Sequence, residues 1–412
     1  MTIDMPDLEN PVLVSAGRKT EISLLLAYFS WGIFWGGWGV LIPQFKYDLG
    51  FSESALGFAL MGISIGAMTA MMLGGKLVRN RPELALTVLL FAFACASVLL
   101  GEASGFVSLA ICLVVLGMMS GLLDIALNIN VFNTERSTGR ALFQRAHGVF
   151  PLGVILASPM VGLARDAEIP TQAILWIIAA FMIPPLLLFY SGTRRRAGPQ
   201  ATQTAGSDDA NNWTEIFARR TVAGVGGICA LIVIFLFLEN AVEQWSTLFV
   251  EQSHATRAAT ASLTPSLYMA AIFVGRMAAH RWAHIITIDR ALRWGAIGTA
   301  AGFVLMAFSQ SIYVTLFLAT IMGLFVAPIV PGLYSWISTH VGEDRRAAVL
   351  GLVTTLSYLG YLLSPVFVGG VASTALGLDA AWVALGLVAV GAYVLIKIGP
   401  SLSSPEPKGS DQ

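Results

Sequence analysis

Gly117-Met-Met-Ser-Gly121-Leu-Leu-Asp124-Ile-Ala-Leu-Asn128-Ile-Asn130 closes an apolar run that starts at Phe106. The run is long enough to cross a membrane as a helix, since about 20 residues span the hydrocarbon core. Helical register puts Asp124 and Asn128 on one face. Gly117 and Gly121 share that stripe, where small residues let helices approach closely. A carboxylate inside such a helix is expensive to keep and is best tolerated facing a water-lined cavity, where it carries a proton or holds a polar solute. The pattern points to a transporter. A second reading of the same residue is an acid near the inner end that reaches the surface or pairs with Arg140 or Arg145.

Composition points the same way. Of 412 residues, 56% are hydrophobic and 12% charged, about half the charged share of a soluble globular protein. Lys+Arg and Asp+Glu each total 24, so net charge gives no case for a nucleic-acid partner. Cys95, Cys112 and Cys229 lie in apolar runs without metal-ligand spacing and are expected as core residues, with neither disulfide nor metal. The first 20 residues are polar and the first apolar run is membrane-length, so no cleavable signal is expected.

Spans are expected at 22–42, 54–74, 84–101, 107–131, 146–164, 171–191, 221–249, 260–279, 294–309, 312–335, 348–371 and 379–398. One long polar stretch, Arg194 to Arg220, divides them six and six and reads as a flexible linker. With the N-terminus in the cytoplasm, the far-side loops hold only Lys46, Arg165 and Arg257. Lys76, Arg79, Arg81, Arg194–Arg196, Arg290, Arg293, Arg345 and Arg346 then fall inside, as the positive-inside rule predicts. The halves also echo each other. Arg140-Ala141 precedes Ser158-Pro159 by the distance that separates Arg346-Ala347 from Ser364-Pro365, which sets helix five opposite helix eleven. Gly75 after helix two has a counterpart in Gly275-Arg276 after helix eight. Parallel six-helix repeats suit a rocking carrier.

Helix seven carries Glu239-Asn240-Ala-Val-Glu243-Gln244-Trp245. Glu239 and Glu243 are one turn apart, and the alternative is that the chain has left the bilayer by Glu243. On helix one, Trp31, Trp35 and Trp38 form a stripe usable as a platform for a sugar ring, or equally for packing and interface anchoring. His147 begins helix five beside Arg145 and either gates proton movement or packs through a hydrogen bond. Tyr334 is a further candidate aromatic wall. Pro151, Pro159, Pro184-Pro185, Pro328, Pro331 and Pro365 are expected as bending points. His254, His280, His284 and His340 suggest no metal site. No phosphate-binding glycine loop or nucleophile triad is visible, so neither an enzyme nor ATP coupling is expected.

Through nearly its whole length the chain resembles the major facilitator superfamily, and more narrowly its fucose permease-like branch. The resemblance is carried by Trp38…Ile42-Pro43-Gln44-Phe45-Lys46 with Leu49-Gly50, Asp124…Asn128, Glu239…Trp245-Ser246, Gly275-Arg276 and Tyr358-Leu-Gly360…Pro365. It implies proton coupling at Asp124 and matches Glu239 and Trp245 to the family's helix-seven acid and aromatic. Gly39 stands where the fucose carrier has a substrate-linked aspartate, which argues against fucose. The superfamily's acid after helix two is missing from Gly75-Lys76-Leu-Val-Arg79-Asn80-Arg81, and His280 stands at its counterpart after helix eight.

The expected protein is therefore all-α with twelve transmembrane helices: a bundle over 1–193, a cytoplasmic linker over 194–220 and a bundle over 221–412. It is expected as a monomer in a bacterial inner membrane, both termini cytoplasmic, without a cofactor. Expected function is proton-coupled symport of a sugar or similar small polar solute by alternating access. Asp124, Glu239 and His147 are the proton-coupling candidates. Asn128, Glu239, Asn240, Glu243, Trp245, Trp35, Trp38 and Tyr334 are the cargo-contact candidates, and Arg145, Gly275 and Arg276 the gating ones. The alternatives are a proton-antiporting exporter of amphipathic compounds and a non-transporting sensor on the same fold.

Overall fold

The computed structural model describes residues 11–193, 219–282 and 287–398. Among them are twelve helices long and apolar enough to cross a membrane, and no strand. They are α1 (Arg18–Leu49), α2 (Glu53–Asn80), α3 (Pro82–Glu102), α4 (Phe106–Thr138), α5 (Phe143–Asp166) and α6 (Thr171–Ser191). The second series is α7 (Val225–Ser253), α8 (Ala258–Ala278), α9 (Ile288–Phe308), α10 (Ile312–His340), α11 (Val349–Ala372) and α12 (Gly377–Ile398). The expected linker lies outside the described residues except for its last two positions, which are helical.

Several helices outrun their apolar cores, because a helix in lipid continues while its polar end meets water. This corrects one expectation. Gly75 lies inside α2, and Gly275 and Arg276 lie inside α8, whose helix continues to Trp282. Glu243 has ten residues of α7 beyond it. Proline acts where expected. α6 is interrupted at Phe181–Met182 just before Pro184-Pro185, and α10 breaks at Ala327–Pro328. Pro151, Pro159 and Pro365 stay inside their helices.

The chain divides into two compact units, Met1–Ala205 with Thr256–Ser266, and Gly206–Ala255 with Leu267–Gln412. In the first, α1 packs chiefly on α5 and α2 on α4. In the second, α7 packs on α11 and α9 on α12. Glycine permits the closest of these crossings. A Cβ on Gly32 would strike the Phe150 carbonyl oxygen of α5, and one on Gly153 the Phe29 carbonyl oxygen of α1. In the second unit a Cβ on Gly360 of α11 would sit 2.5 Å from the Val233 oxygen of α7.

The internal echo has a matching physical form in each unit. Ser158 Oγ reaches the Gly36 carbonyl of α1 at 3.1 Å, and Ser364 Oγ donates to the Phe237 carbonyl of α7 at 2.8 Å. Both serines are fully buried. Ser158→Ala and Ser364→Ala are each expected to cost about 0.5–1.5 kcal/mol, read as a lower melting temperature in detergent. Unchanged melting in both would show that these bonds do not tie the helices.

Cys229 is buried and Cys112 half-buried, but Cys95 is exposed on α3, which corrects its placement in the core. In a membrane protein the lipid-facing surface is as apolar as the interior, so an apolar run does not tell the two apart.

Candidate functional site

Two intramembrane polar clusters stand out, one in each unit. The first is assembled by the α4–α5 turn. Gly139 takes the left-handed conformation (φ 67°) that ends α4, and its N–H donates to the Glu135 carbonyl at 2.8 Å. The Glu135 carboxylate then accepts the backbone N–H groups of Leu142 and Phe143 at 2.8 and 2.7 Å. That caps the start of α5 and returns it alongside α4. In the middle of α4, Gly117 and Gly121 pass directly over Ile63 and Ala67 of α2. Asp124 and Asn128 follow on the same stripe, half-buried.

Asn128 is the hub. Its Nδ2 donates to Asp124 Oδ1 at 2.8 Å and to the Asp124 carbonyl at 2.9 Å. Its Oδ1 accepts Tyr28 Oη from α1 at 3.0 Å and lies 3.1 Å from His147 Nε2 of α5. Tyr28 is fully buried and its ring lies 5.1 Å from that of His147, which also packs on Phe143 at 4.4 Å. Asp124 thus sits in a connected polar network. Arg140 instead lies 3.3 Å from Glu21, and Arg145 is exposed, so the pairing of Asp124 with either arginine is not what the structure has.

Tyr28 was not among the sequence candidates. The signal was there: Tyr28, Trp31, Trp35 and Trp38 follow one helical stripe, and Tyr28 is its inner member. Trp31 packs edge-on against Phe150 and Trp35 against Phe34, both half-buried. Trp38 is enclosed, stacked on Phe34 and tilted against Phe45. In this structure it fills the helix-one core.

The second cluster is on α7. Glu239 is 6% exposed and its Oε1 lies 3.6 Å from Arg276 Nη2 of α8. Arg276 therefore neutralises an intramembrane acid, a placement the spacing along the chain did not show. Tyr268 of α8 and Tyr361 of α11 stand near Glu239 and Glu243. Glu239 Oε2, Asn240 Oδ1 and Gln244 Oε1 are buried without a hydrogen-bond partner, as is the indole nitrogen of the fully buried Trp245. Buried polar atoms are nearly always paired, so acceptors left open in one turn of helix mark a place where a donor-bearing group or water fits. Arg276→Gln would leave Glu239 without its cation and is expected to destabilise by about 1–3 kcal/mol. Pairing it with Glu239→Gln should recover most of the loss in the same melt. A double variant no better than the single would show that the two residues are not coupled.

The remaining candidates fall elsewhere. Gly275 lets α8 pass close to Ala327 on α10. Tyr334 is half-buried on α10, its Oη 3.5 Å from Thr354 Oγ1. His254, outside the spans, lies 2.9 Å from Thr315 Oγ1. Burial pushes its pKa down and the Asp379 charge opposes that. His340 stacks on Trp336. No cluster of three metal-ligating side chains occurs among the described residues.

A sequence model of the Major Facilitator Superfamily matches residues 24–295 and 258–412. A transporter from Yersinia pestis, named as an uncharacterised member of the same type, is 27% identical over 384 residues, covering 92% of this chain and 94% of its own. An uncharacterised transporter of Sinorhizobium fredii is 22% identical over 353 residues, 84% of this chain and 89% of its own. Among solved structures, a mutant of the nucleoside transporter NupG superposes with a TM-score of 0.76 at 13% identity, over 92% of this chain and 99% of its own. A D-xylose–proton symporter gives 0.71 at 16% identity, over 95% and 98%.

Proposed function

Because this chain belongs to the major facilitator superfamily of membrane transporters, we propose that it couples the movement of a small polar solute to that of a proton by alternating access. The observation that carries the proposal is the Asp124–Asn128–Tyr28–His147 network, an intramembrane acid held by polar partners. Intramembrane ionisable groups mark ion and proton pathways, and such an acid can be charged or neutral without an arginine to fix its state. Asp124 is the proton carrier in this reading, and Glu239 with Arg276 the second charged element.

The cargo is a sugar or similar polyol-like solute, taken up with the proton. The open acceptors on Glu239, Asn240 and Gln244 suit hydroxyl donors, and half-buried Tyr334 of the same unit offers a ring face. Asp124-Ile-Ala-Leu-Asn128 and Glu239…Trp245 support a place near the fucose permease-like branch. The lysine and arginine bias supports a bacterial inner membrane with both termini in the cytoplasm, and six-helix bundles over 1–193 and 221–412 flank the linker.

The test is proton movement into liposomes that hold purified protein and a pH-sensitive dye, challenged with sugars, polyols and cationic drugs in turn. Proton uptake driven by a sugar or polyol is the expected result. Proton release driven only by drugs would replace symport with export. Saturable binding without flux would leave a sensor.

A further inference from the structure

We infer that Tyr28 and His147 are positioning residues that lock the Asn128 amide onto Oδ1 of Asp124, so that Oδ2 is the atom that takes the coupling proton. The inference deepens the proposed proton site and rests on that reading for its functional meaning.

A neutral amide has two N–H donors and an oxygen with two acceptor sites. At Asn128 all four are used. Both N–H groups point at oxygens of Asp124, at 2.8 and 2.9 Å, and the oxygen meets Tyr28 Oη and His147 Nε2 at 3.0 and 3.1 Å. With Asn128 Oδ1 accepting, His147 carries its proton on Nε2. Rotating the amide by half a turn would set its oxygen against two Asp124 oxygens at those same distances. It would also turn its N–H groups toward Tyr28 Oη and His147 Nε2, both of which would then have to exchange donor for acceptor. The backbone carbonyl of Asp124 cannot change its role, and together with the Tyr28 and His147 contacts it holds the amide in this orientation whether or not the acid is charged.

The consequence falls on the carboxyl. One oxygen, Oδ1, accepts from Asn128 in both states. When Asp124 gains a proton, the new O–H forms at Oδ2 and Oδ1 becomes the carbonyl oxygen, still bonded to Nδ2. One proton is added, none leaves Asn128 or His147, and the network needs no rearrangement.

The other charged groups around this network are engaged or turned outward. On α1, Glu21 lies two turns inward from Tyr28 and is held by Arg140. On α4, Glu135 caps α5. On α5, Arg145 is exposed. On α2, the Arg79 guanidinium folds back over Gly75.

Infrared difference spectroscopy of the purified full-length protein, acid minus neutral, reads the carboxyl directly and needs no cargo. The Asp124→Asn difference assigns the band. Wild type should show one narrow protonated-carboxyl C=O band, in the range of a hydrogen-bonded carbonyl. Asn128→Leu should move it to the range of a free carbonyl. Tyr28→Phe, and separately His147→Phe, should split or broaden it, because the amide then loses one of the contacts that hold it. Circular dichroism melts identify any variant that has lost its fold, and the milder Tyr28→Phe then decides. A band with the same position and width in wild type, Asn128→Leu and Tyr28→Phe overturns the lock, and so does the absence of any Asp124 band down to the pH at which the protein unfolds. If the bands behave as expected while Asp124→Asn liposomes still move protons with cargo, the lock stands and the coupling role of Asp124 falls.

Discussion

Asp124→Asn is expected to reduce cargo-driven proton uptake to the level of protein-free liposomes while leaving cargo exchange at equal pH intact. The substitution keeps the shape of the side chain and an oxygen able to accept from Asn128 Nδ2, which lies 2.8 Å away in the native protein. What it removes is the ability to exist charged and neutral. A carrier cycle that must neutralise this carboxyl before reorienting becomes free of the proton once the group is permanently neutral, since a bare charge at that depth costs several kcal/mol and an amide far less. Net accumulation against a gradient should be lost and exchange of labelled for unlabelled cargo should continue. Unaltered proton uptake in the variant would remove Asp124 from the mechanism and pass the role to Glu239. Loss of exchange together with proton movement would assign Asp124 to cargo binding.

Gly153→Val should have the largest effect on the fold. A Cβ at 153 would overlap the Phe29 carbonyl oxygen and come within 2.8 Å of the Ile33 nitrogen and 2.9 Å of the Gly32 carbon. These are backbone atoms of α1 and cannot swing aside as a side chain would. Overpacking of a well-filled core costs about 1–3 kcal/mol and sometimes more. Here two helices must separate, parting Ser158 from the Gly36 carbonyl and the His147 ring from that of Tyr28. Little monodisperse protein should be recovered, and the carboxyl band of any that survives should lose its narrow shape. Gly226→Val is the control: nothing lies within 4 Å of its Cβ position, and it should melt like wild type. Equal behaviour of the two variants would show that the α1–α5 crossing tolerates expansion.

Much of the molecule was legible before folding. Twelve spans and the polar residues inside them follow from hydropathy, because the cost of placing a group in hydrocarbon is local to that group. The pairing of Asp124 with Asn128 was readable for the same reason, being one turn of one helix. The serine echo was readable as a repeat, though its role as a hydrogen bond between helices was not.

What only the tertiary structure decided is which of these groups meet. Tyr28, Asn128 and His147 are separated along the chain by 100 and 19 residues; Gly32 and Gly153 let α1 and α5 approach closely, which sets Tyr28 beside His147 with both against Asn128 of α4. Arg276, expected just past a helix end, lies within α8 against Glu239. Cys95 and Trp38 both come from apolar segments, yet one is exposed and the other enclosed. Sequence spacing carries the energetics of a helix with its solvent. The contacts that orient a carboxyl depend on where separate helices cross, and that is set by packing among residues far apart in the chain.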